Sequence, residues 1–99
     1  MLMEISELQE NAAKASGLLK VMANQSRLLI LCNLLEGAKS VQQLQAEVRL
    51  SQSALSQQLA ILRGEKLVAT QRSAQSVFYS LSSPEAEEML QTLYNIYCK

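Results

Sequence analysis

Apolar residues recur every three or four positions along most of the chain, so the pattern predicts a mainly helical protein. Ile5, Leu8, Ala12, Ala15, Leu19 and Met22 form one such seam, which predicts a first helix from Ile5 to Met22 that packs against another helix. Its early acids, Glu4, Glu7 and Glu10, suit the positive end of the helix dipole. Asn24 is placed to cap a second helix over 25–35. There Leu28, Leu29, Ile30, Leu31, Leu34 and Leu35 leave almost no polar side, the mark of a central, buried helix. Glu36-Gly37 ends it, with Gly37 as a left-handed cap. Ser40 and Gln43 have capping-box spacing and open a third helix with Val41, Leu44 and Val48 inward. Ser51 caps a fourth helix over 51–64. Leu50 and Leu55 close a hydrophobic staple around that cap, and Ala54, Leu55, Leu59 and Leu62 form the inner stripe. The pattern then changes. Leu67–Thr70 and Ser76–Leu81 are β-prone runs around a polar turn at 72–75, which predicts a hairpin. Ser83 followed by Pro84 opens a last helix with Met89, Leu90, Leu93, Tyr94 and Tyr97 on one face.

The third and fourth helices, with their short connection, match a helix-turn-helix, and a hairpin directly after it is a wing. The outer face of the fourth helix begins with Gln52, Ser53, Ser56 and Gln57, all polar and uncharged. A solvated amphipathic helix would show a polar face too, though usually with more Glu and Lys. Short uncharged side chains near a helix N-terminus suit the DNA major groove, where Gln reads adenine bidentately and Ser reads several base edges. Arg72, Ser73 and Gln75 on the wing are placed to contact phosphate or a minor groove.

Net charge is zero, but it is unevenly spread. Residues 13–82 hold eight bases against three acids, and the acids otherwise collect at the two ends. Lys39, Arg49, Arg63, Lys66 and Arg72 flank the fourth helix in sequence, an electrostatic footprint in the right place for DNA. Ninety-nine residues are expected to form one domain, 1–99. The seams of the first and last helices offer more apolar face than so small a domain needs, which predicts a homodimer. Its two fourth helices would lie about 34 Å apart and read an inverted repeat in double-stranded DNA. No run is apolar enough to span a bilayer and no signal peptide is evident, so a cytoplasmic protein without membrane association is expected. An enzyme is disfavoured: there is no His base and no Cys-x-x-Cys. A protein-interaction module built on the same fold stays open beside the DNA-binding reading.

The order of elements resembles the ArsR/SmtB-type winged-helix repressors. Three stretches carry the resemblance: Leu-Ser-Gln-Ser-Ala-Leu-Ser-Gln-Gln-Leu at 50–59, Leu-Arg-Gly-Glu-Lys-Leu-Val at 62–68 and Val-Phe-Tyr-Ser-Leu at 77–81. It implies base contacts from Gln52, Ser53, Ser56 and Gln57, and backbone contacts from Arg63 and Arg72. Many members of that family sense metals, but this chain has no His, no Cys pair on the third helix, and only carboxylates at the start of the last. Carboxylates alone are poor ligands for soft or borderline metals, so neither a metal nor any other cofactor is expected.

Two cysteines remain. Cys32 lies on the apolar second helix, where a buried free Cys commonly acts as a small hydrophobe. Cys98 is the penultimate residue, where there is little core to fill. The resemblance extends to a branch of the family with one cysteine at each of these places. It implies a pair that answers reactive sulfur species or oxidants by forming a disulfide or a polysulfide bridge, weakening DNA binding. The alternative is a constitutive DNA-binding regulator, or a derepressor competing with another silencer, whose cysteines are inert. Both positions fall near helix C-termini, which disfavour a thiolate; Lys99 and Lys20 are the bases expected to offset this.

Overall fold

A computed structural model describes residues 4–98, so Lys99 lies outside the described residues. The elements are α1 (Ile5–Met22), α2 (Gln25–Leu34), β1 (Lys39–Ser40), α3 (Val41–Val48), α4 (Gln52–Gly64), β2 (Val68–Ser73), β3 (Ser76–Leu81) and α5 (Pro84–Tyr97). This is a mainly helical winged helix-turn-helix, with the hairpin β2–β3 as its wing.

Side chains read as caps set the helix starts. Asn24 Oδ1 accepts from the Arg27 amide at 3.0 Å, and Ser51 Oγ from the Ala54 amide at 3.1 Å. Ser83 Oγ accepts from the Ala86 amide at 3.1 Å. At Ser40 the capping box is complete: the Gln43 amide donates to Ser40 Oγ at 3.2 Å, and the Ser40 amide donates to Gln43 Oε1 at 2.8 Å. Each cap satisfies a donor the helix cannot, worth about 1 kcal/mol.

The turn into α4 is made by Arg49, which takes a left-handed conformation (φ 56, ψ 38) as the C-cap of α3. The Gln45 side-chain amide donates to the Leu50 carbonyl and ties that turn down. At the far end of α4 the Lys66 amide donates to the Arg63 carbonyl and the Leu67 amide to the Leu62 carbonyl, both at 3.0 Å, with Lys66 at φ 64. That is a Schellman motif, with Leu62 and Leu67 both buried in the same core cluster. At the end of α2 the expectation was different. Leu35 is the right-handed C-cap, and Gly37 lies two residues beyond it at φ 133, outside the left-handed helical region.

The sheet has three antiparallel strands in the order β1-β3-β2, one more than the sequence pattern suggested. β1 pairs Lys39 with Tyr79 and Ser40 with Phe78, anchoring the wing to the segment just before α3. A two-residue strand has no period to detect. The hairpin also runs further than expected. Its ladder continues from Val68↔Leu81 to Ser73↔Ser76, leaving a loop of Ala74 and Gln75 with Ala74 at φ 55. Backbone pairing continues there although the side chains are polar and exposed.

The core draws on α2, α3, α4 and α5. Ile30, Leu31, Leu44, Leu55, Leu62 and Leu90 are fully buried, and Leu50 packs half-buried against the same cluster. α1 joins it only through its C-terminal end, where Met22 is buried and Leu18 and Val21 are half-buried. The earlier part of its seam is bare, with Ile5 75% and Leu8 46% exposed. The chain is correspondingly elongated, 50 × 30 × 21 Å with a radius of gyration of 15.0 Å, against about 13 Å for a compact chain of this length.

Replacing Leu55 by Ala is expected to lower the free energy of urea unfolding by about 2–5 kcal/mol, through lost burial and a cavity. Gln52→Ala, on the exposed face one turn earlier, is expected to stay within about 0.5 kcal/mol.

Candidate nucleic-acid interface

Burial of Leu55, Leu59 and Leu62 fixes the rotation of α4, and with it the face that points outward. Gln52, Ser53, Ser56 and Gln57 all lie on that exposed face, in the first half of the helix. The helix N-terminus therefore presents hydroxyl and amide groups and no charge. Ser53 is partly engaged, its Oγ 3.4 Å from the capping Ser51 Oγ. Gln58 differs from Gln57. It is half-buried, and its Oε1 accepts from Arg27 Nη1 at 3.1 Å, so it belongs to the scaffold.

Two of the expected site residues share a hollow of about 500 Å³ between α4 and β3. It is lined by Ser56, Ala60, Arg63 and Gly64 of α4, with Val41, Leu59 and Tyr79. Arg63 is exposed at its edge, in the last turn of α4. Arg72 lies apart, on the wing, exposed and paired across the ladder with Val77.

The charge footprint needs one correction. Lys39, counted among the bases that flank the fourth helix, is buried: its side chain is 10% exposed. Its ammonium donates to Glu36 at 2.5 Å and Glu47 at 2.6 Å, and those hydrogen bonds hold its pKa above the ordinary 10.5. It is neutralised and unavailable to a phosphate. The carboxylates three residues before it and eight after it are the signal that sequence reading passed over. Arg49, Arg63, Lys66 and Arg72 are exposed and remain in the footprint.

Comparison with known proteins sharpens the picture. A family model described as "Bacterial regulatory protein, arsR family" matches residues 24–70. The transcriptional activator HlyU of Vibrio cholerae is 52% identical over 97 residues, covering 98% of this chain and 90% of that protein. The chain belongs to the ArsR family of bacterial regulatory proteins. The biofilm growth-associated repressor of Xylella fastidiosa is 35% identical over 92 residues, covering 93% of this chain and 81% of the repressor. The structure of reduced HlyU from Vibrio cholerae matches with a TM-score of 0.91 at 52% identity, over 96% of this chain and 100% of that one. Proteins of the ArsR family bind DNA and regulate transcription, and at that level this is the function of the chain. No helix among the described residues is long and apolar enough to cross a membrane.

In this family member both described thiols are free and exposed. For Cys32 this departs from the sequence picture of a buried helix. α2 turns one side outward from its middle towards its C-terminus, with Leu29 43% exposed and Cys32 about one turn on. Cys32 opens there onto a groove of about 440 Å³ lined by Ala23, Asn24, Gln25, Leu28 and Leu29. Partial burial pushes its pKa above the ordinary 9.0, and repulsion from the Cys98 thiolate raises it further. Cys98 is the C-cap of α5, its amide donating to the Tyr94 carbonyl at 2.8 Å. Among the described residues no three His, Cys, Asp or Glu side chains gather where they would hold a metal ion.

Alkylation of Cys32 by a neutral reagent is expected to follow a thiolate titration with its midpoint above 9.0. Cys98→Ser removes the repulsion but not the burial, so the midpoint falls towards 9.0 while staying above it. A midpoint that does not move on that substitution shows the two thiols to be electrostatically independent.

Proposed function

We propose that this chain is a sequence-specific transcriptional regulator that binds an inverted-repeat operator as a homodimer, under the control of the Cys32/Cys98 pair. The observation that carries the DNA reading is the exposed, uncharged face of α4 beside a wing and four exposed cations, in a chain of a DNA-binding family. Gln52, Ser53, Ser56 and Gln57 read base edges in the major groove. Arg63, at the other end of the same helix, and Arg72, on the wing, bind phosphates and set the register. The homodimer is supported by the uncovered apolar residues Ile5, Leu8 and Leu19 on α1 and Tyr94, Ile96 and Tyr97 on α5. They lie on the two helices whose seams exceed what one protomer covers.

The thiol reading is supported by two observations: both sulfurs are free, and both are exposed. A persulfide would oxidise the pair to a disulfide while being reduced to a thiol and hydrogen sulfide. A polysulfide bridge would keep additional sulfur. A bridge between positions 32 and 98 closes a long loop, and the chain-entropy model gives it about 4 kcal/mol if unstrained. Only the difference between DNA-competent and incompetent states counts towards regulation. The raised pKa of Cys32 favours the other reading, a constitutive regulator with inert cysteines, because it leaves little thiolate at neutral pH. Cytoplasmic residence and a single domain spanning 1–99 go with either reading. Similarity to both an activator and a repressor keeps open whether operator binding silences a promoter or displaces another silencer.

The deciding test compares reduced and persulfide-treated protein on an operator selected from genomic fragments, at one salt concentration, with the product identified by mass spectrometry. Wild type is expected to lose affinity as a 32–98 bridge forms, whereas Cys32→Ser and Cys98→Ser bind the operator and ignore the reagent. A response that survives either substitution removes the paired mechanism.

The DNA reading has its own check. Arg63→Ala and Arg72→Ala are each expected to reduce the slope of log affinity against log salt by about 1, on operator and non-specific duplex alike. An unchanged slope takes that residue off the backbone.

A further inference from the structure

Arg27 joins three helices through one side chain. Its backbone amide belongs to the first turn of α2, where it donates to the cap Asn24. Its Nε donates at 2.5 Å to the carbonyl of Val21, in the last turn of α1. Its Nη1 donates at 3.1 Å to Gln58 Oε1, on α4. The Val21 carbonyl is one of those a helix end leaves without an intrahelical partner, and a cation there also suits the negative end of the helix dipole. Gln58 adjoins Gln57, and the planar guanidinium holds both acceptors in one rigid fork. The side chain is half-buried, so these hydrogen bonds are partly shielded from water.

We propose that Arg27 is a positioning residue for operator recognition: it fixes the placement of α4 against the α1–α2 junction. This rests on the reading of α4 as the recognition helix. Leu55, Leu59 and Leu62 fix the rotation of α4 by apolar contact, but apolar packing is non-directional and tolerates sliding along the groove. The Arg27–Gln58 hydrogen bond is directional and pins the middle of the helix. Its other anchor lies at the base of α1, the helix whose outer part awaits a partner. The same α2 carries Cys32 five residues on, so any displacement of α2 reaches α4 through this fork. Operator affinity thereby becomes sensitive to the state of α1 and α2, although neither helix carries a base-reading residue.

The test is a double-mutant cycle with Arg27→Met, Gln58→Met and the double variant, each checked by thermal melting. The readout is the ratio of affinities for the selected operator and a non-specific duplex of equal length. Gln58→Met leaves the Arg27–Val21 hydrogen bond intact and tests the link to α4 if Arg27→Met does not fold. Gln58→Met is expected to cut the ratio about tenfold, and the double variant to lose no more than Arg27→Met alone. Losses that multiply, or a folded Gln58→Met with the wild-type ratio, overturn the proposal. Backbone amide chemical shifts provide a readout without DNA. Both single variants are expected to shift the same amides along α4, from Gln52 to Arg63. Shifts confined to the neighbours of Gln58 overturn the positioning role even if wild type shows no operator preference, the outcome that would instead remove the recognition reading itself.

Discussion

The rest of the molecule depends on the burial of three leucines on one side of α4. Leu55, Leu59 and Leu62 have almost no exposure, and removing three such side chains from water is worth several kcal/mol in total, on the order of 2 kcal/mol each. That contact sets the rotation of the helix. A quarter-turn error would send Gln52 and Ser56 sideways and bring Gln58 out of its pocket. The polar caps, the αL turn at Arg49 and the Schellman closure at Lys66 then fix where the helix begins and ends. The outer face of α4 follows from core packing: polar residues face outward because apolar ones have claimed the inside.

A second group of interactions decides which charges the surface keeps. Lys39 and Arg27 are both cations of the middle segment, and both are spent internally. Lys39 reaches two carboxylates between α2 and α3, and Arg27 a carbonyl and an amide between α1 and α4. Removing a carboxylate from the buried Lys39 leaves its charge poorly compensated, and removing either acceptor from the half-buried Arg27 leaves a guanidinium donor unpaired. These side chains are therefore tied to the relative placement of the helices, while Arg49, Arg63, Lys66 and Arg72 can serve a partner.

The helices were legible because their signals are local. Ser40 with Gln43, Ser51 before Ala54, and Ser83 before Pro84 each name a helix start within four residues, and the leucine spacing names the inner face. The outward face of α4 followed by subtraction. What escaped was non-local. β1 has only two residues, and its pairing with Tyr79 and Phe78 spans nearly forty positions. The destination of Lys39 depends on where Glu36 and Glu47 meet in space, and that of Gln58 on Arg27, thirty-one residues earlier. Cys32 was misplaced for a related reason. Its neighbours in sequence are apolar apart from Asn33, yet a helix with so little polar surface still turns one side, with Leu29 and Cys32, outward.

Three residues at positive φ shape α4 and the wing, Arg49 before the helix, Lys66 after it and Ala74 at the hairpin tip, and none is glycine. Glycine is the residue such conformations ordinarily favour, and it would relieve a left-handed cost of about 1 kcal/mol or more at each. At two of these joints the side chain kept in its place is a cation. Turn geometry and electrostatics are thus drawn from the same positions, and a sequence optimised for unstrained turns, with glycine at both, would shed half of the exposed positive charge around α4. The protein sits on the other side of that trade, with strained corners that carry charge.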